Sequence, residues 1–169
     1  MGETYNSVIN GWIEQNRYKI DKDTLTYKTE GNGQTGLVNP GFYNEYDEKV
    51  IDLSSYNIMW HSPPFFINGY SVLDIENDQG ARYMTVINKA GEQLAPPIKS
   101  LAHGNVVSGL FLVRNEDNTF SYMDTKMNVV IANIKAQSAS DFTYDGIATI
   151  KSADETYYIN TSGERIDIK

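Results

Sequence analysis

Two histidines, His61 and His103, are the only side chains in this 169-residue chain whose ordinary titration range would make them bases at neutral pH. Neither stands at a spacing that joins it to a nucleophile or a second metal ligand, so each reads as a histidine satisfied within a loop. The stretch Asp74-Ile75-Glu76-Asn77-Asp78-Gln79-Gly80 opens like a calcium loop. Its glycine falls one place late, and its twelfth position is Thr85, where such a loop requires a bidentate Glu. A solvated hairpin turn is the better reading, with a loose surface calcium site as the alternative. Gly31-Asn32-Gly33-Gln34-Thr35-Gly36 has the glycines of a phosphate loop but neither its Lys nor its strand-to-helix setting. The acid pairs Asp47-Glu48 and Asp154-Glu155 sit in turn-like stretches, and adjacency in sequence does not set the separation that two-carboxylate chemistry needs. There is no nucleophile elbow. The sequence predicts no catalytic residue, no metal site and no cofactor.

Aromatic side chains are the remaining functional signal. Twelve Tyr, six Phe and two Trp make 12% of the chain; Trp12, Trp60, Tyr43, Tyr46 and Tyr56 lie outside the most regular strands, and one group falls in Tyr56-Asn57-Ile58-Met59-Trp60-His61-Ser62-Pro63-Pro64-Phe65-Phe66. Tyr56, Trp60, His61 and Phe65 are the candidate ligand-binding residues, with Asn57, His61 and Ser62 as hydrogen-bonding groups. Tyr and Trp offer large contact area at low rotamer cost, and the two prolines keep the segment out of a central strand. The competing reading is that these aromatics fill a β core and pair across strands.

Composition narrows the partners. Lys and Arg number 14 against 22 Asp and Glu, a formal charge of −8 that repels a phosphate backbone, so nucleic acid is excluded as a partner. The hydrophobic fraction of 40% fits a folded chain of one domain, residues 1-169. With no cysteine there is neither a disulfide framework nor a thiolate site, which leaves the compartment open. No apolar run reaches the roughly 18 residues of a membrane-spanning helix. The polar start Met1-Gly2-Glu3-Thr4-Tyr5-Asn6 is neither a signal peptide nor a myristoylation site, and suits a fragment of a longer protein as well as a natural beginning.

The elements that must position these groups are strands. Tyr70 to Ile75 and Ala81 to Ile87, Leu110 to Val113 and Thr119 to Met123, and Ile147 to Ile150 and Thr156 to Ile159 each read as strand, turn and strand. Gly69, Gly109 and Gly146 open these hairpins. A polar column, Asp52, Asn88, Asp124 and Asn160, recurs every 36 residues, and an apolar column, Ile58, Leu94, Val130 and Ile166, follows six residues later each time. Columns of fixed type at one period mark a repeat architecture. Asn88 with Gly91 and Asn160 with Gly163 predict type I turns with a bulge, the amide bonding to backbone and the glycine turning left-handed. Asp124-Thr125-Lys126-Met127 and Asp52-Leu53-Ser54-Ser55 lack that glycine, which predicts longer or strained turns. Leu110 to Val113 is apolar on both faces, which favours a curled meander or stacked array over a flat sheet. Residues 1-35 read as an atypical cap or degenerate leading repeat, with a hairpin over Arg17 to Tyr27 or a short helix over Ser7 to Gln15.

Phe142-Thr143-Tyr144-Asp145-Gly146-Ile147-Ala148, followed by Tyr158-Ile159-Asn160-Thr161-Ser162-Gly163-Glu164, resembles a unit of the WG-type β-repeat family. Units of that family run Phe, two residues, Gly, a short apolar strand, then Trp-Gly-Tyr-Ile-Asp and a Gly-containing turn. Phe66-Ile67-Asn68-Gly69 with Val86-Ile87-Asn88-Lys89-Ala90-Gly91 carries part of the same pattern, and the resemblance spans about Gly36 to Lys169. The Trp-Gly pair itself is replaced by Met84-Thr85, Phe120-Ser121 and Thr156-Tyr157. The resemblance implies a bacterial protein, secreted or attached to the cell envelope, and no catalytic residue. Together these features predict an all-β, non-catalytic interaction module that binds a protein partner. The alternative is a carbohydrate-binding module, marked by aromatics with amides and carboxylates beside them, and an enzyme ranks third.

Overall fold

The computed structural model describes residues 25–30, 38–59 and 61–168. The described residues form strands and turns without a helix, in four antiparallel sheets that follow one another along the chain. The first sheet holds β1 (Thr26–Glu30), β2 (Val38–Tyr43) and β3 (Lys49–Asp52) in that order. The second holds β4 (Tyr70–Glu76), β5 (Arg82–Asn88) and β6 (Ile98–Lys99). The third is a meander of β7 (Ala102–His103), β8 (Leu110–Arg114), β9 (Phe120–Asp124) and β10 (Val129–Ile134). The fourth runs β11 (Ser138–Ala139), β12 (Ala148–Lys151), β13 (Thr156–Ile159) and β14 (Arg165–Ile166). Asp52, Asn88 and Asp124 end β3, β5 and β9, and Asn160 directly follows β13. Of the cap proposed for residues 1-35, residues 1–24 and 31–35 lie outside the described residues; Thr26–Glu30 form β1, which pairs with β2.

Turn chemistry explains the meanders. At Asn44, Asn77, Asn88, Asn115, Asp124, Thr143 and Asn160 the same five-residue turn recurs: the first residue's N–H donates to the carbonyl of the fifth, and the fourth residue's N–H donates back to the first carbonyl. The fourth residue has a positive φ in every case, and it is glycine at Gly80, Gly91, Gly146 and Gly163. In the Asn88 and Asn160 turns the leading Oδ1 accepts two backbone N–H groups at 3.0 Å, replacing the water that a free turn would need. The Asp124 turn has this same length and bonding, with Met127 at φ 62° where glycine would be unstrained. Asp52 differs: its Oδ1 accepts from Ser54, and the turn closes one residue later, from Tyr56 N–H to the Leu53 carbonyl. Tighter two-residue turns lead into β4 and β8, where Asn68-Gly69 and Ser108-Gly109 have positive φ at both positions. Gly146 stands two residues before β12, because it holds the left-handed place in the Thr143 turn.

Burial places successive sheets face to face. Phe42 and Ile51 of the first sheet meet Leu73 and Ile87 of the second, with Leu53, Ile58 and Phe66 of the connection between them. The other face of the second sheet turns Met84 and Val86 towards Phe111, Val113 and Met123 of the third. The third sheet's opposite face, Leu110 and Tyr122, packs on Phe142, Ala148, Ile150 and Ile159. Strands β4, β5, β8 and β9 are therefore covered on both sides, the physical reason for their apolar runs. Phe66 packs against Phe42 and Phe142 against Tyr122 as tilted ring pairs with centroids 4.6 and 4.7 Å apart, so these aromatics belong to the core. Polar ties cross between neighbours at the tight turns: Asn68 Nδ2 donates to the Val106 carbonyl and Ser108 Oγ to that of Thr143.

Gly163 joins both levels of this order, since its φ is +81° and a Cβ there would stand 3.2 Å from Ile131 of β10. Gly163→Val adds left-handed strain and a crowded contact at once. The expected result is destabilisation of about 1–3 kcal/mol, read as a lower midpoint in thermal and urea unfolding; an unchanged midpoint would refute the turn assignment.

Candidate functional site

The segment that carries the candidate aromatics runs beside β4. Glu76 N–H donates to the Asn57 carbonyl, Met59 N–H donates to that of Asp74, and Ile58 bridges Ile75. This short addition to the sheet ends before Pro63 and Pro64, which cannot donate to a ladder. Tyr56 is half-buried against the core between the first two sheets, and its Oη donates to Gln93 Oε1 at 3.1 Å. Burial pushes its phenol above the ordinary range. His61 is exposed, and Phe65 is 38% exposed beside a fully buried Phe66. Trp60 lies outside the described residues. Ser62, read as a group for a ligand, turns inward and donates its hydroxyl to Asp74.

Asp74 is the centre of the most concentrated polar chemistry among the described residues. It occupies the interior of β4, 2% exposed, on the face that carries Tyr70 and Val72 towards the third sheet. Its Oδ1 accepts from Arg82 Nε at 2.8 Å and Nη2 at 2.6 Å, while Oδ2 accepts from Ser62 Oγ and lies 2.9 Å from His103 Nε2. These four contacts use the carboxylate's full accepting capacity, which a buried charge requires. Arg82 is held in turn by the Leu101 carbonyl at 2.6 Å, and His103 Nδ1 by that of Gly104 at 2.9 Å. Asp74 is thus no opening ligand of a calcium loop, because its oxygens are already spent on Arg82, Ser62 and His103. The stretch after it is the end of β4 and the Asn77 turn.

Serine, histidine and aspartate are the residue types of nucleophilic hydrolysis, but their order here differs. In a catalytic relay the serine bonds to one imidazole nitrogen and the acid to the other. Here the hydroxyl and the imidazole rest on the same carboxylate oxygen, and the second ring nitrogen faces a backbone carbonyl. Both ring nitrogens therefore lie against oxygen atoms other than the Ser62 hydroxyl, and neither is placed to take the serine proton as a relay base would be. The cluster ties β4, β5, the β3 to β4 connection and β7 together.

Two shallow clefts flank this cluster. One, of about 330 Å³, is lined by Ile75, Glu76, Asn77, Tyr83 and Pro97 at the end of the β4–β5 hairpin. The other, of about 230 Å³, is lined by Ala102, His103, Leu112, Arg114, Phe120 and Gln137. Sequence reasoning missed the first because Tyr83 and Pro97 look like an ordinary strand residue and an ordinary loop residue. It missed the Asp74 cluster because its members converge from four separate segments. The one available signal was a carboxylate between the apolar Leu73 and Ile75 in the interior of a strand.

No protein-family model, no curated protein and no solved structure matches this chain.

Burial raises the Asp74 pKa, but the bond and charge of His103 and the bonds from Ser62 and Arg82 outweigh it and hold the group at about 2, against 3.8 unperturbed. A folded pKa below the unfolded one stabilises the native state fully above about pH 4, and that contribution disappears as pH falls towards 2. The shift corresponds to about 2 kcal/mol. Comparing the acid unfolding of the wild-type chain with that of Asp74→Asn should show this loss only in the wild type. Parallel curves over that window would refute the assignment.

Proposed function

We propose that the chain is a non-catalytic β-repeat interaction module that binds a protein partner. The observation that carries this reading is the use of the Ser62, Asp74 and His103 side chains as a tie between sheets, with the carboxylate's oxygens and both ring nitrogens engaged. A group saturated in this way serves architecture, and architecture of this kind supplies surface. Phe65, Leu101 and Tyr144 are exposed in connections between strands, where a partner can reach them without disturbing the packed faces.

The placement of Asp52, Asn88, Asp124 and Asn160 at the ends of strands supports a second element of the proposal: the four sheets are units of a degenerate 36-residue repeat of WG type. Under that resemblance the protein is bacterial and works in the cell envelope or outside the cell. Glycan binding is the second functional reading, favoured by the Tyr83 cleft with its carboxylate and amide.

The test is site-directed photo-crosslinking in an envelope extract of the source cells, with the crosslinker placed at Phe65, at Tyr144 and, as a control, at Lys151 of β12. The expected outcome is a discrete protein adduct from Phe65 or Tyr144 that is absent from Lys151. Equal labelling at all three positions, or none, would count against a protein partner. Phe65→Ala and Tyr144→Ala should weaken capture while changing stability by about 0.5 kcal/mol or less.

A further inference from the structure

We infer that the cleft of Ile75, Glu76, Asn77, Tyr83 and Pro97 is a binding site for a neutral sugar unit of a glycan. The inference rests on the interaction-module reading and replaces the Tyr56 to Phe65 platform as the place of sugar contact. Its geometry starts with the register of the hairpin: Ile75 and Tyr83 are directly paired across β4 and β5, so their side chains share one face of the sheet. Pro97, exposed in the connection to β6, adds a rigid apolar wall. Glu76 and Asn77 follow at the end of β4, half-buried at the same cleft.

This combination suits a sugar better than another small ligand. A pyranose offers an apolar C–H face for an aromatic ring and a ring of hydroxyls for polar groups beside it. Tyr83 with Ile75 and Pro97 supplies the first partner, and Asn77, on the same face, with Glu76 at the rim, supplies the second. Charge selects against anionic ligands, since the acidic residue Glu76 stands at the cleft and the chain carries −8. The volume of about 330 Å³ lies at the small end of ligand sites and matches a single residue of a longer chain lying across the rim.

The polar groups are also placed before a ligand arrives. Asn77 Oδ1 accepts N–H groups from Gln79 and Ala81 at 3.0 and 2.8 Å, which fixes the plane of its amide and the direction in which its NH2 group points. The Glu76 carboxylate folds over the same turn, its Oε1 3.3 Å from where a Cβ of Gly80 would stand. Groups held by their own turn lose little freedom on binding.

The experiment is an array of neutral oligosaccharides of glucose, mannose and N-acetylglucosamine on the full chain, followed by an NMR titration of whichever binds. Tyr83→Ala, Glu76→Gln and Trp60→Ala are measured beside the wild type. Binding by the wild type that weakens about tenfold or more in both Tyr83→Ala and Glu76→Gln, with shifts centred on residues 75–77, 83 and 97, is the expected result. Glu76→Gln keeps the side-chain shape, so its loss of affinity reports the site even where Tyr83→Ala loosens the strand. Binding to none of the oligosaccharides, or binding lost only in Trp60→Ala, would overturn the inference. So would a preference of the cleft for a cationic peptide over every neutral sugar. The crosslinking experiment is independent, so a protein adduct from Phe65 alongside a silent array would remove the sugar site and leave the module reading standing.

Discussion

A sheet that is apolar on both faces has to be covered twice, and this constraint organises the molecule. The second and third sheets cannot face water on either side, because Leu73 and Ile87 point one way while Met84 and Val86 point the other, and Leu110 and Tyr122 oppose Phe111 and Val113. Face-to-face succession along the chain is the least costly answer, since each sheet finds its cover in its sequence neighbour and few long loops must be closed. The connections take part in the same packing. Phe66 and Phe142 enter the layers between sheets from the stretches that lead into β4 and β12, and Tyr122 anchors its layer with a bond from Oη to the Ser140 carbonyl at 2.6 Å. Burial, with the Asp141 charge adding to it, pushes that phenol's pKa up, so it remains a donor across the physiological range.

Apolar layers are tolerant of sliding, whereas a saturated buried charge is not. Asp74 meets Arg82 from β5 of its own sheet, Ser62 from the connection into β4 and His103 from β7 of the next sheet, so it sets one mutual position for those pieces. The arrangement stabilises only as a whole, because loss of one donor leaves a buried carboxylate undersupplied. Close approach serves the same end between the third and fourth sheets. Asp141 places its carboxylate where a side chain on residue 104 would lie and accepts the Asn105 N–H at 3.2 Å, which explains glycine at that position.

Function then falls to what this packing leaves outside. The exposed aromatic and aliphatic groups lie in turns, connections and edge positions: Tyr46, Phe65, Leu101, Val129, Val130 and Tyr144. The edge strand β10 is mostly exposed despite its Val-Val-Ile run, and its register shifts twice against β9, a device that bends an edge away from strand-to-strand association. The Tyr83 cleft differs from these scattered groups because apolar and polar partners converge there.

Local chemistry was legible without coordinates. Runs of β-branched and aromatic residues bounded by turn formers locate β4, β5, β8, β9, β12 and β13 to within a residue or two, since strand propensity and turn chemistry act over a few residues. The two-sided apolar character of Leu110 to Val113 also carried the stacking of sheets, which follows from solvent exclusion alone. The turn at Asp124 was less legible, because a methionine at φ 62° is tolerated only where the rest of the hairpin is secure. The role of Asp74 was hidden altogether: Ser62, Arg82 and His103 reach it across separations of 12, 8 and 29 residues, and nothing local to any of them announces the others. The sequence by itself determined strand, turn and the need for double cover, because those depend on neighbours along the chain. Only the tertiary structure decided which polar side chains became the tie between sheets and which lined a cleft, because burial and convergence are properties of distances between segments that sequence order does not contain.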